Sequence, residues 1–184
     1  MTVGTTRIES IRADITTLHV DAIVNAANAS LAGGGGVDGA IHRAGGPAIA
    51  LACRAIGGCP TGSAAITEGG DLPVSFVIHA VAPRYSGRPR DAELLTGAYA
   101  TALRIADEQG ARTIAFPSLG TGAYGYPLEE AAPIAIRTVI AHLRVGSRLE
   151  CITFCLFSDA DLATYRSLLG APLSSDAKPV SRHR

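Results

Sequence analysis

The chain has 184 residues, with 16 basic and 16 acidic side chains and a formal net charge of zero. Hydrophobic residues make up 47% and charged residues 17%, which is typical of a folded globular protein and excludes a largely disordered one. The balanced charge, the 5% aromatic content and the absence of Trp argue against a protein whose main ligand is a nucleic acid.

The first third of the chain contains two predicted strands and two predicted helices. Alternating apolar and polar residues predict a strand over 7–15, and a short apolar run predicts a buried strand over 21–26. Helices are predicted over 37–44 and 47–56, with Pro47 in the first turn of the second one. The glycine pair 45–46 separates the two helices.

The middle of the chain continues the alternation. Strands are predicted over 64–68 and 75–82, and the clearest helix is predicted over 91–109, with Asp91 as its cap and Gly110 as its end.

The last predicted elements follow the same order. They are a strand over 113–116, a helix over 128–143, a strand over 151–157 and a helix that ends near Leu169. Pro133 within the second of these elements predicts either a late start near Ala131 or a bend.

These elements predict one α/β domain over 1–170, with helices on both faces of a sheet, and a loose tail over 171–184. No apolar run resembles a signal peptide or a membrane span, so we expect a cytoplasmic protein with no membrane partner. The four cysteines form no C-x-x-C pair, and the histidines do not flank them at zinc spacing. We therefore expect no metal, and we expect a monomer.

A run of four glycines, residues 33–36, follows the second predicted strand and leads into a helix. Backbone N–H groups in such a loop can hold an anion, most simply a phosphate or diphosphate. The loop has no Lys and fits neither common nucleotide-binding glycine motif, so phosphoryl transfer with magnesium is not indicated. The alternative interpretation is a flexible surface linker.

Two polar residues, Asn28 and Asp38, bracket this loop. Asn28 could orient a hydroxyl or a water, and Asp38 could accept a proton. Spacing alone favours simpler roles, a turn former for Asn28 and a helix cap for Asp38.

A second glycine loop, residues 117–127, also lies between a strand and a helix. Its three glycines again indicate backbone contact with a phosphate, and Tyr124 and Tyr126 could form the wall of a pocket. Two such loops in one small domain indicate a dinucleotide or a nucleotide-diphosphate-sugar as ligand.

At these residues the sequence resembles the macrodomain family and its MacroD-type branch. Asn28, six further residues and then Gly35-Gly36-Val37-Asp38 match the motif of that branch. The runs at 59–73 and 121–127 are also similar to bacterial O-acetyl-ADP-ribose deacetylases, and the resemblance extends over about residues 7 to 170.

The resemblance implies a three-layer α/β/α sandwich around a mixed central sheet, with ADP-ribose as ligand and no cofactor. It implies two hydrolyses at the distal ribose: removal of acetate from O-acetyl-ADP-ribose, and removal of mono-ADP-ribose from Asp or Glu side chains of proteins. The partners would then be ADP-ribose derivatives and mono-ADP-ribosylated proteins. A non-catalytic ADP-ribose reader and a phosphatase acting on ADP-ribose 1''-phosphate are the alternatives.

Site residues follow from the resemblance position by position. Asn28 and Asp38 would be catalytic, with Asp38 activating the water. Asp14 and Ile15 would bind the adenine amino end, and Phe157 would pack on the adenine face. The remaining binding residues would be Asn25, Gly35, Gly36, Val37, Ser118, Gly120, Thr121, Gly122, Ala123 and Tyr124. From the residues alone, Asp14 could equally be a turn residue at a strand end, and Phe157 a core aromatic.

Overall fold

The structure, a computed structural model, describes residues 1–170, and the tail predicted at 171–184 lies outside these residues. The strands are β1 (Thr2–Val3), β2 (Thr6–Arg12), β3 (Ala22–Ala26), β4 (Ala64–Glu68), β5 (Phe76–Ala80), β6 (Thr113–Phe116) and β7 (Cys151–Leu156). The helices are α1 (Gly36–Ile56), α2 (Pro89–Glu108), α3 (Leu128–Val145) and α4 (Asp159–Gly170), with a short 3-10 turn at Ile15–Thr17.

The strands form one mixed sheet in the order β1-β2-β7-β6-β3-β5-β4. The five inner strands are parallel to one another, while β1 and β4 pair antiparallel at the two edges. Because parallel strands have their carboxyl ends at the same edge, the loops after β2, β3, β5, β6 and β7 come together there. In such α/β sheets this edge is where ligands bind.

Two hydrophobic cores lie on opposite faces of the sheet. One contains Ile41, Ile49 and Cys53 of α1, and the other is formed with α2, α3 and α4. Neighbouring residues of β3 alternate between them, with Ile23 in the first core and Val24 in the second, as the two-residue period of a strand requires. The expected three-layer α/β/α sandwich with a mixed sheet is confirmed.

Helix α1 contains both helices predicted between residues 37 and 56. The break between them is Gly46, whose φ of 72° and ψ of -172° are not helical. A Cβ added at Gly46 would lie 2.4 Å from Oδ2 of Asp71. The glycine is therefore required both by its backbone conformation and by the close approach of the β4–β5 loop.

Several predicted boundaries differ from those observed by a few residues, and the structure explains the main differences. Strand β2 ends at Arg12, because Asp14 caps the 3-10 turn that follows. Helix α2 begins at Pro89, before Asp91, whose carboxylate accepts hydrogen bonds from backbone N–H groups just before the helix, at 2.7 and 3.3 Å. Helix α3 begins at Leu128 and includes Pro133, so the late start near Ala131 is wrong.

In the part of the chain that the structure describes, no helix combines the length and apolar character needed to cross a membrane.

Candidate active site

A cavity of about 1130 Å³ opens at the edge of the sheet where the parallel strands end. Its walls come from the segments after β2, β3, β5, β6 and β7 and from the first turns of α1. All site residues implied by the resemblance except Asn25 line it: Asp14, Ile15, Asn28, Gly35, Gly36, Val37, Asp38, Ser118, Gly120, Thr121, Gly122, Ala123, Tyr124 and Phe157. The structure thus brings together residues that are more than 140 positions apart in the sequence. The expectation that Tyr126 forms a pocket wall is wrong, because this residue is buried in the core.

Asn28 holds the first glycine loop in its shape. Its Nδ2 donates to the carbonyl of Gly33 at 2.8 Å, and its Oδ1 accepts from Ser30 Oγ at 2.7 Å and from the backbone N–H of Ala32 at 3.3 Å. The turn role expected from spacing is therefore present. Because Asn28 also lines the cavity, a ligand contact and the turn role are compatible.

The N-terminus of α1 forms part of the cavity wall. The N-cap residue is Gly35, which offers no side-chain cap. Gly34, Gly35 and Gly36 all line the cavity. Their backbone N–H groups are not shielded by side chains, and they lie at the positive end of the helix dipole. This arrangement suits an anion such as a diphosphate.

Two buried tyrosines hold the second glycine loop in place from the core side. The hydroxyl of Tyr99 accepts from the N–H of Leu119 at 3.1 Å and donates to the carbonyl of Pro117 at 3.4 Å, while the hydroxyl of Tyr165 is 3.1 Å from Ser118 Oγ. Burial raises the pKa of both tyrosines, so both stay neutral. Sequence reasoning missed this support, because each tyrosine occupies an apolar helix position that resembles ordinary core.

Three arginines add positive charge to the cavity wall, namely Arg12, Arg43 and Arg84. The guanidinium of Arg84 lies 4.7 Å from the ring centroid of Tyr124, within the range of a cation–π contact. No pattern in the sequence singled these residues out. Arg12 is already paired with Asp159, so the charges of Arg43 and Arg84 are the ones that can complement the diphosphate that the glycine loops can accept.

Asp14 and Phe157 lie at the end of the cavity next to β2 and β7. Asp14 Oδ1 accepts from the backbone and hydroxyl of Thr16, at 2.9 and 2.7 Å, and these bonds lower its pKa. Phe157 is 88% exposed, so the core position considered from the sequence is wrong. An exposed ring can pack on a flat base. The ionised carboxylate of Asp14 can accept a hydrogen bond from that base.

Asp38 is the carboxylate at the other end of the cavity and is only 5% exposed. Its Oδ1 accepts a hydrogen bond of 2.7 Å from Nδ2 of Asn25, and His42 Nε2 lies 3.4 Å from the same oxygen. Its Oδ2 is next to Gly34, where an added Cβ would come within 3.2 Å. Asn25, expected among the binding residues, instead lies fully buried behind the cavity wall.

A cluster of His42, Cys53 and His79 lies behind Asp38, with one possible ligand atom from each within 4.8 Å of the others. These are donor types that bind transition metals. However, both ring nitrogens of His79 are 3.0 Å from other polar groups, Asn25 Nδ2 and Thr67 Oγ1. The geometry is thus that of a hydrogen-bonded network.

Residues 24–135 match the family model described as Macro domain. The chain belongs to the macrodomain family.

Relatives and solved structures agree with this assignment. This macrodomain is 54% identical over 168 residues to an O-acetyl-ADP-ribose deacetylase of Klebsiella pneumoniae, a match that covers 89% of this chain and 96% of the relative. It is 47% identical over 166 residues to ADP-ribose glycohydrolase MACROD2 of Xenopus laevis, covering 89% of this chain and 40% of that protein. The Oceanobacillus iheyensis macrodomain with ADP superposes with a TM-score of 0.88 at 40% identity, covering 92% of this chain and 93% of the other.

Proposed function

We propose that this macrodomain binds ADP-ribose and hydrolyses esters between carboxyl groups and the distal ribose. Its substrates would be O-acetyl-ADP-ribose and proteins that carry mono-ADP-ribose on Asp or Glu. Water adds across the ester bond, its hydroxyl going to the acyl carbon and its hydrogen to the ribose oxygen. The products are ADP-ribose and a free carboxylate, either acetate or the protein side chain. The four cysteines form no C-x-x-C pair and suit a reducing compartment, so the cytoplasm remains the expected location.

The observation that carries this proposal is the position of Asp38. It lines the cavity beside the glycine loop, yet it is 5% exposed, so a reacting water next to it is shielded from bulk solvent. Oδ1 is held by Asn25, which leaves Oδ2, on the side of Gly34, as the oxygen that takes a proton from the attacking water.

The rest of the cavity would bind the non-reacting parts of the ligand. The exposed ring of Phe157 and the carboxylate of Asp14 take the adenine. The two glycine loops, with Arg43 and Arg84, take the diphosphate. Binding of these groups holds the distal ribose beside Asp38, so the binding energy is used to position the scissile ester next to the reacting water. The names of the two curated relatives, a deacetylase and a glycohydrolase of ADP-ribose compounds, support the same substrate class.

The test compares Asp38→Asn with the native chain. We expect kcat for ADP-ribose release from both substrates to fall by about 10²–10⁴-fold, the usual effect of removing a general base. The Kd for ADP-ribose, measured by calorimetry, should change little. The control is Glu93→Gln, an exposed carboxylate on α2, which should behave as the native chain. Parallel loss of binding and turnover in Asp38→Asn would assign Asp38 to binding or folding instead.

One observation favours the second candidate, a reader that binds ADP-ribose without chemistry. Both the amide nitrogen and the amide oxygen of Asn28 are hydrogen-bonded within their own loop. Asn28 can therefore shape the loop for ligand binding without taking part in a reaction. A native chain that binds ADP-ribose and releases none from either substrate would establish the reader.

A further inference from the structure

Behind the cavity, a chain of hydrogen bonds joins Asp38 to strand β4. Asp38 Oδ1 is 2.7 Å from Asn25 Nδ2, which is itself 3.0 Å from His79 Nδ1. On the far side of the ring, His79 Nε2 is 3.0 Å from Thr67 Oγ1. Asn25 and His79 are both fully buried, and neither belongs to the cavity wall.

The direction of each bond follows from the chemistry of its ends. Asn25 Nδ2 can only donate, so His79 Nδ1 must accept and Nε2 must carry the ring proton. Thr67 Oγ1 donates its own hydrogen to the carbonyl of Glu68 at 3.0 Å, and it can therefore accept from Nε2. Every donor is matched by an acceptor, which selects one tautomer of a neutral imidazole.

The neutral state of His79 agrees with its surroundings. Burial, with a smaller contribution from nearby His42, lowers the pKa of His79 to about 4. The other titratable groups that face this cluster are Cys53 and Asp38. Cys53 has its pKa raised by burial and by Asp38, so it stays a neutral thiol.

The two N–H bonds of the Asn25 amide are thus divided between His79 and Asp38. Within the described residues, the buried Oδ1 of Asn25 has no hydrogen-bond partner, a costly condition for an amide oxygen. The opposite flip of the amide would turn this oxygen towards the carboxylate of Asp38, which is worse because two acceptors would then face each other. The orientation of Asn25 is therefore imposed by its two acceptors acting together.

We propose that His79 is a positioning residue for the hydrolysis: by accepting one N–H of Asn25, it aims the other at Oδ1 of Asp38 and thereby directs Oδ2 towards the water. Asp38 then keeps one fixed rotamer, with an N–H donor held against its Oδ1. This inference rests on the proposed function, since it assigns a role in the same reaction.

Two substitutions separate the two ring nitrogens. His79→Asn places an amide oxygen near the position of Nδ1, so it can still accept from Asn25 but cannot reach Thr67. His79→Gln extends to the position of Nε2 and can reach Thr67 but leaves Asn25 without its acceptor. Both variants lose the imidazole ring, so any loss of activity that comes only from altered core packing should be similar in the two.

We expect His79→Gln to lower kcat by up to about 100-fold, the scale of a misplaced catalytic group, and His79→Asn to recover most of that loss. KM and the Kd for ADP-ribose should stay within about threefold of native in both variants, because no cavity contact is removed. Equal kcat in the two variants, or parallel losses of kcat and ADP-ribose binding, would overturn the positioning role.

A second measurement does not depend on turnover. The side-chain amide of Asn25 is followed by NMR in the native chain and in both variants. We expect both of its protons to be hydrogen-bonded and slow to exchange with solvent in the native chain and in His79→Asn, and one of them to lose this protection in His79→Gln, because Asn25 then lacks its second acceptor. If the native chain releases no ADP-ribose, the proposed function fails while these resonances still decide the role of His79. Identical Asn25 resonances in the two variants would reject it.

Discussion

Phe157 is exposed at the cavity mouth, whereas the other large aromatic residues near it, Phe154 and Tyr165, are completely buried. Its backbone carbonyl accepts from Nε of Arg12 at 3.3 Å, and Arg12 in turn pairs with Asp159. The residue is therefore held in place by its backbone while its ring remains free to contact a ligand.

This geometry predicts the effect of Phe157→Ala. The ring contributes little to the core, so the free energy of unfolding should stay near native. Loss of packing on the adenine should weaken ADP-ribose binding by roughly 1 kcal/mol, or about fivefold in Kd. Calorimetric titration with ADP-ribose measures this change. Val145→Ala, at another strongly exposed apolar side chain, is the control, and an unchanged Kd in Phe157→Ala would remove Phe157 from the binding site.

The sequence identified Asp38 as a candidate but could not separate a catalytic carboxylate from a helix cap. The structure gives the reason. Asp38 lies within the first helical turn, while the N-cap is Gly35, and its hydrogen bond comes from Asn25 on a neighbouring strand. Which strand residue faces a helix residue depends on how the layers pack, and no local spacing encodes that.

At the scale of elements, α1 combines two tasks that a straight helix could not meet. Its first part carries Asp38 to the cavity, and its second part places Ile49 and Cys53 in the core. The two parts meet at Gly46, and the N–H of Asp71 donates to the carbonyl of Gly45 at 3.1 Å. The glycine pair made this break predictable from the sequence. The packing of the β4–β5 loop against the break could not be predicted.

Gly46→Ala should be more costly than Gly57→Ala. Gly57 ends α1 in the left-handed region with open space around it, so alanine there costs about 1 kcal/mol of stability. The backbone of Gly46 lies in a region that is almost exclusive to glycine, and its added Cβ meets Asp71, so we expect about 2–3 kcal/mol. Urea denaturation of both variants measures the difference, and equal losses would show that the break relaxes without strain.

At the scale of the whole molecule, the alternation of strands and helices was sufficient to predict layers, and the glycine loops to predict the ligand edge. The order of strands in the sheet was not predictable from the residues alone. Strand β1 was missed because it has only two residues, and the antiparallel pairing of β4 depends on the loop after it. The network around His79 was also missed, because its members come from α1, β3, β4 and β5 and converge only in the assembled fold.

The buried neutral His79 couples that network to the stability of the whole domain. Its pKa is about 4 in the fold and 6.5 ordinarily, so the unfolded chain binds the proton more readily. The resulting contribution to the free energy of unfolding is roughly 3 kcal/mol. It is complete above pH 6.5 and is lost as the pH falls towards 4.

We expect the urea midpoint of the native chain to decrease between pH 7 and 4.5, and that of His79→Asn to decrease less, since asparagine binds no proton. Carboxylates and histidines outside this network contribute equally to both proteins and cancel in the comparison. Parallel pH profiles for the two proteins would mean that His79 is protonated in the fold as easily as in the unfolded chain.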